Sequence, residues 1–111
     1  MWIASTLGFF SIVKKQDGWH VRARQRRDIE NLVRAAGICC PVHRWPEADY
    51  RFRIIVDCQG DLDRIFAALT ATINYPNFKQ AISGTPGQSE KLPVYEDLWL
   101  GLLGLQAQTR E

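Results

Sequence analysis

No apolar run in this 111-residue chain comes near the roughly 20 residues that a membrane-spanning helix needs, which removes helical membrane proteins from consideration. Histidine is scarce. His20 and His43 are the only two, and Ser11, Ser83 and Ser89 lie in no recognisable catalytic motif, so little material is present for acid–base or nucleophilic chemistry. No glycine-rich phosphate loop and no internal repeat occurs. Cysteine is limited to three, an odd number that excludes a fully paired disulfide framework and points to free thiols in a reducing compartment. The opening "MWIASTLGFFSIVKK" carries its lysines after its apolar part, the reverse of a secretion signal, so a cytoplasmic location is expected.

What is present suits one ordinary globular domain over residues 1–111: 46% of residues are hydrophobic and 23% charged, a balance that excludes a disordered chain. The formal charge of +2 conceals an asymmetry. Residues 1–56 hold ten Lys/Arg against five Asp/Glu (+5), and residues 57–111 hold four against seven (−3). One pole of the surface is therefore suited to acidic partners, without the strong basicity of a dedicated duplex binder.

The pattern along the chain predicts strands, a helix, a strand, then helices. "GFFSIVK" and "WHVRAR" flank a turn ending in Asp17-Gly18 and read as an N-terminal β-hairpin. In its second strand Trp19, Val21 and Ala23 share one face, and His20, Arg22 and Arg24 the other. "RRDIENLVRAAG" spaces Ile29, Leu32, Val33 and Ala36 helically, with Arg26 and Arg27 just outside the start and Gly37 as the stop. "ICCPVHRWPEAD", broken by Pro41 and Pro46, is a loop or holds a short edge strand. In "DYRFRIIVD", Tyr50, Phe52, Ile54 and Val56 alternate with Arg51, Arg53 and Ile55. A second helix is expected from an Asp61 N-cap, with Leu62, Ile65, Phe66, Leu69 and Ile73 as its apolar stripe. A short helix follows Pro76, "SGTPGQSEKLP" reads as a flexible loop, and "VYEDLWLGLLGLQ" is helical. The fold class is α+β, an antiparallel sheet with helices packed on one face and the other face open.

Taken in order, "GFFSIV", "VRAR", "YRFRIIV", "INYPNFKQAI" and "VYEDLWLGLLGLQ" resemble a group of small uncharacterised bacterial proteins of about this size. In that group a Gly-Phe-aromatic-Ser start, a Val-Arg-Ala-Arg strand and an Asn-Tyr-x-Asn-Phe-Lys helix recur. The resemblance implies one compact domain that stands alone. It brings no activity, cofactor or site residue with it.

The residues with chemistry are mainly arginines. Arg22 and Arg24 leave one strand on the same side as His20, and Arg51 and Arg53 do so on another; guanidinium forks suit phosphate and carboxylate alike. Solvated strand arginines paired with Asp17, Glu47 or Asp49 are the plainer alternative. Trp45, between prolines and beside Arg44, is the tryptophan expected to be exposed, whereas Trp19 and Trp99 are expected in the core. Cys58 and Arg64 have the Cys-x5-Arg spacing of phosphatase loops and superficially resemble low-molecular-weight tyrosine phosphatases. Yet Asp61 and Asp63 fall where a phosphate would sit, and the later Asp-Pro general acid is missing. Cys39, Cys40, His43 and Cys58 lack the paired spacing of a zinc site, so the cysteines are expected to be small buried hydrophobes.

The expectation is a non-catalytic binding, adaptor or inhibitor module without cofactor or metal. It docks an acidic partner, a protein before a nucleic acid, through His20, Arg22, Arg24, Arg51, Arg53, Arg44 and Trp45. Single-stranded nucleic-acid binding is the alternative, a phosphatase-like enzyme the distant one. The C-terminal helix offers a surface for self-association.

Overall fold

The computed structural model describes residues 1–109. The chain forms two compact units, Met1–Asn74 and Tyr75–Glu111.

The first unit holds strands β1 (Trp2–Ala4), β2 (Phe9–Lys15), β3 (Gly18–Ala23), β4 (His43–Arg44) and β5 (Phe52–Val56), with helices α1 (Arg26–Ala36) and α2 (Gln59–Ala71). The strands make one antiparallel sheet in the order β1-β2-β3-β5-β4. β2 and β3 are the expected hairpin, and β4 is the short edge strand of the proline-broken stretch. Ile12, Val21 and Ile54 stand opposite one another in register, and with Phe10, Ala23 and Val56 they make the buried face. Ile29 and Leu32 of α1 and Ile65 and Leu69 of α2 close over them in one apolar cluster, with Trp19, Leu62 and Phe66 at its margin. The architecture is α+β, with helices on one face of the sheet.

Several local details depart from the sequence expectations. Arg26 and Arg27 are the first residues of α1, not its approach. Gln25 gives no side-chain cap, and the Asp28 carboxylate turns inward to accept the Phe9 N–H at 3.2 Å. A Cβ on Gly8 would run into that carboxyl group, so glycine there permits the approach. Gly37 ends α1 as expected, at φ 66°, with its N–H on the carbonyls of Val33 and Arg34. α2 starts after Cys58, three residues earlier than an Asp61 cap would give; Asp61 lies in the first turn and holds Arg64 at 2.9 Å. The same helix stops at Ala71, where the Thr72 hydroxyl donates back to the Leu69 carbonyl, so Ile73 falls beyond the stripe and is exposed. Tyr50 lies outside β5 and does not share the face of Phe52.

In the second unit, Asn77 caps the short helix α3 (Phe78–Ser83) by accepting the Gln80 N–H at 2.9 Å. The stretch read as a flexible loop instead contains a 3₁₀ turn, Ser89–Lys91, stitched by Gln88 N–H to Thr85 O and Lys91 N–H to Gln88 O. It leads into α4 (Leu92–Thr109). Tyr95 of α4 is buried with its ring 5.2 Å from that of Phe78, and the Lys79 ammonium lies 4.6 Å from the Trp99 ring centroid. Trp99 was expected in the core but is 52% exposed. The reason is length: six residues of α3 extend about 9 Å, a third of the roughly 27 Å of α4. Leu100, Leu102, Leu103 and Leu105 are exposed with it. Among the described residues no helix is long and apolar enough to cross a membrane.

Gly18 closes the hairpin at φ 134°, and a Cβ there would collide with the Val56 carbonyl oxygen of the neighbouring strand. Gly18→Ala is expected to lower the urea-unfolding free energy by about 3 kcal/mol. Gly37→Ala, with open space around its Cβ, should lose only about 1 kcal/mol.

Candidate functional site

The period of two that buries Ile12, Val21 and Ile54 turns their neighbours to the opposite face. Register aligns Trp2, Ser11, Arg22, Arg53 and His43 in one row across all five strands. The Arg22 Nη2 donates to Ser11 Oγ at 2.6 Å within that row. The face is not bare, as a two-layer arrangement would leave it. The segment after β4 turns back at Pro46, with Trp45 N–H bonded to Arg51 O at 2.7 Å and Ala48 N–H to Trp45 O at 3.0 Å. This lays Trp45 and Tyr50 against the arginines. The Arg53 guanidinium sits 4.1 Å from the Trp45 ring centroid, and Arg22 and Arg24 lie 4.7 and 4.5 Å from the Tyr50 ring.

Arg53 and His20 are each only 2% exposed. Arg53 Nη2 donates to the Tyr50 carbonyl at 3.3 Å, and Nη1 lies 3.2 Å from His20 Nδ1. A guanidinium has no acceptor to offer, so Nδ1 must be the acceptor and the imidazole proton resides on Nε2. That N–H then donates to Asp17 Oδ1 at 2.7 Å. The bond from His20 holds the Asp17 carboxyl below its usual pKa, against a smaller opposing effect of burial. Burial, and then the charge of Arg22, lower the pKa of Arg53. The two guanidinium groups thus sense each other, and the Nε atoms of both are buried without a hydrogen-bond partner.

Among the described residues, none of Arg22, Arg24, Arg44, Arg51 and Arg53 has a carboxylate within ion-pair distance. Arg24 donates to the Asp49 backbone carbonyl at 2.9 Å and is exposed. Arg51 is exposed one residue before β5. Arg44 is exposed but pairs with Phe52, which puts it on the helix-covered side of the edge strand, away from the row. Trp45 is 42% exposed, as its proline-flanked position suggested.

The structure adds Ser11, Tyr50, His43 and Trp2 to this face. Trp2 is 70% exposed, and its ring lies 6.2 Å from Phe9. A three-residue strand is too short for periodicity to reveal, and Tyr50 reaches the arginines through a turn rather than by alternation.

The thiols are not buried hydrophobes: Cys39 and Cys58 are exposed and Cys40 is half-buried. Proline-rich chain on one side and a helix start on the other keep them at the surface. Partial burial, then the Asp61 charge, raise the Cys40 pKa. Between Cys58 and Arg64 the backbone is already wound into α2, so the Cys-x5-Arg spacing encloses helix instead of an anion-binding loop, and Arg64 is held by Asp61. Among the described residues no three His, Cys, Asp or Glu side chains converge on a metal-sized site. No family model, no curated protein and no solved structure matches this chain.

Two predictions follow from the network around Arg53. Arg53→Ala leaves His20 Nδ1 and the Tyr50 carbonyl without their donor and should lower stability by about 2–4 kcal/mol in urea titration, while Arg51→Ala changes it by less than about 0.5 kcal/mol. Because the folded state depresses the Asp17 pKa, its contribution is complete above the ordinary carboxyl value and fades as pH falls through the folded one. Asp17→Asn should therefore be less stable than wild type at neutral pH, with the gap closing below about pH 4. A gap independent of pH would show that the His20–Asp17 bond is not its source.

Proposed function

We propose that the Met1–Asn74 unit is a non-catalytic docking module that holds an acidic partner against its arginine face and Trp45. The observation that carries this reading is the unpaired charge: guanidinium groups gathered on one face, with no carboxylate within ion-pair distance of them among the described residues and only Asp49 partly offsetting Arg53 from further away. Like charges at close range repel, and an anion laid across Arg22 and Arg24 relieves that repulsion. Arg22 and Arg24 lie over the Tyr50 ring, so less side-chain freedom is lost when they engage a ligand. Arg51 and the outer face of Trp45 extend the contact area. Arg53 and His20 act from beneath by fixing Trp45, and Arg44 lies outside the contact.

The test is binding of the full chain to two labelled polyanions, polyglutamate and a single-stranded oligonucleotide, over a salt series. Wild type should bind at least one with a log–log salt slope that the Arg24→Ala/Arg51→Ala variant reduces by about two. Absence of binding to both at low salt, or an unchanged slope in the variant, would remove this reading.

A further inference from the structure

We infer that the partner of this face is single-stranded nucleic acid, held as a short segment between Trp2 and Trp45. This rests on the docking reading above and names its ligand.

The two indoles project from the same face, since Trp2 stands opposite Ser11, Ser11 binds Arg22, and Trp45 covers Arg53 beside Arg22. Trp2 stands on the outermost strand β1, and Trp45, which follows β4, lies over Arg53 of β5 and edge-on to His20 of β3. Three strand spacings separate β1 from β5, about 14 Å at roughly 4.8 Å each. Both rings are accessible, Trp2 at 70% and Trp45 at 42%. Arg53 lies over the Trp45 indole and His20 meets it edge-on, and the part of the residue left exposed is where a base would stack. Arg22 lies in the register row between Trp2 and Arg53, and Arg24, two residues further on, flanks it; both guanidinium groups lie over the Tyr50 ring and neither has a carboxylate within ion-pair distance among the described residues. The order along the face is aromatic, cationic, aromatic. A single strand offers the matching order of groups: unstacked bases at both ends and phosphates between them.

The competing partners fit less well. A duplex presents phosphates while its bases remain stacked inside, leaving both indoles without a counterpart, and the unit has a modest charge: 11 Lys/Arg against 8 Asp/Glu over residues 1–74, or +3. An acidic protein would meet the arginines, but its interface needs a contiguous desolvated centre. Here Arg22 separates Trp2 from Trp45, so the two exposed indoles do not form one contiguous apolar patch.

The experiment measures anisotropy of a labelled oligothymidylate of about 12 nucleotides, its duplex counterpart and labelled polyglutamate with the full chain at about 50 mM salt. Wild type should bind the single strand at least about tenfold more tightly than the duplex or polyglutamate. Trp2→Ala and Trp45→Ala should each weaken single-strand binding about tenfold without changing the salt slope, as expected for lost stacking. Trp45→Phe should recover most of the loss, and circular dichroism of each variant confirms that it is folded. Arg24→Ala should lower the salt slope instead. Equal or tighter duplex binding, or indole variants that bind as wild type does, would overturn the single-strand inference while the docking reading stands. Preference for polyglutamate would identify the partner as protein, with the same consequence. Failure to bind any polyanion would overturn both.

Discussion

A buried guanidinium with no carboxylate within ion-pair distance among the described residues organises the second face of the sheet. Withdrawing such a charge from water costs several kcal/mol even after relaxation, so Arg53 requires other compensation. The Tyr50 carbonyl, the lone pair on His20 Nδ1 and the π-face of Trp45 supply it. Each of these fixes something further along the chain. Accepting at Nδ1 puts the His20 proton on Nε2 and ties the imidazole to Asp17 in the hairpin turn. Holding Trp45 and Tyr50 folds residues 45–50 back over the strands. One cation thus connects the β2–β3 turn, β5 and the loop beyond the edge strand, which are far apart in sequence.

The same register defines both faces. Ile12, Val21 and Ile54 meet in the core because their strands are aligned as they are, and that alignment also brings Ser11, Arg22 and Arg53 into one row. A slip of one residue between β3 and β5 would put arginines against Ile29 and Ile65 and expose the isoleucines. The energetic cost of that exchange falls on the apolar core, which is where most of the stabilisation lies. The geometry of the arginine face is therefore enforced by burial on the opposite side of the sheet and needs no ion pair of its own.

This division explains what was legible in the sequence. Alternation in "WHVRAR" and "RFRIIV" reports which residues share a face, so the hairpin, the core face and the clustering of Arg22, Arg24 and Arg53 could be read directly. Helical spacing with a terminal glycine did the same for α1. Alternation carries no information about chain that leaves a strand, and Tyr50 was consequently assigned to the wrong side. It reports nothing for three residues, so Trp2 was missed. Helix starts were misplaced where the cap makes no side-chain bond, at Gln25 and Cys58. Trp99 has the spacing of a core residue, but spacing gives a direction and cannot tell whether the chain supplies anything on that side.

Burial of the arginines falls from the middle of β5 outward: Arg53 is enclosed, Arg22 is half-buried, and Arg24 and Arg51 are exposed. Arg53 is therefore fixed by the fold around it, while Arg24 is held only by the Tyr50 ring and the Asp49 carbonyl at the surface. The Arg22 charge nevertheless lowers the pKa of Arg53, so the layers are electrostatically continuous. An anion bound at the outer arginines lessens a repulsion that reaches the buried one. In the docking reading, ligand at a hundredfold excess over its Kd adds about 2.7 kcal/mol to stability by mass action. Like charge gathered on one face gives up some stability, and the core on the other side of the sheet is what permits it.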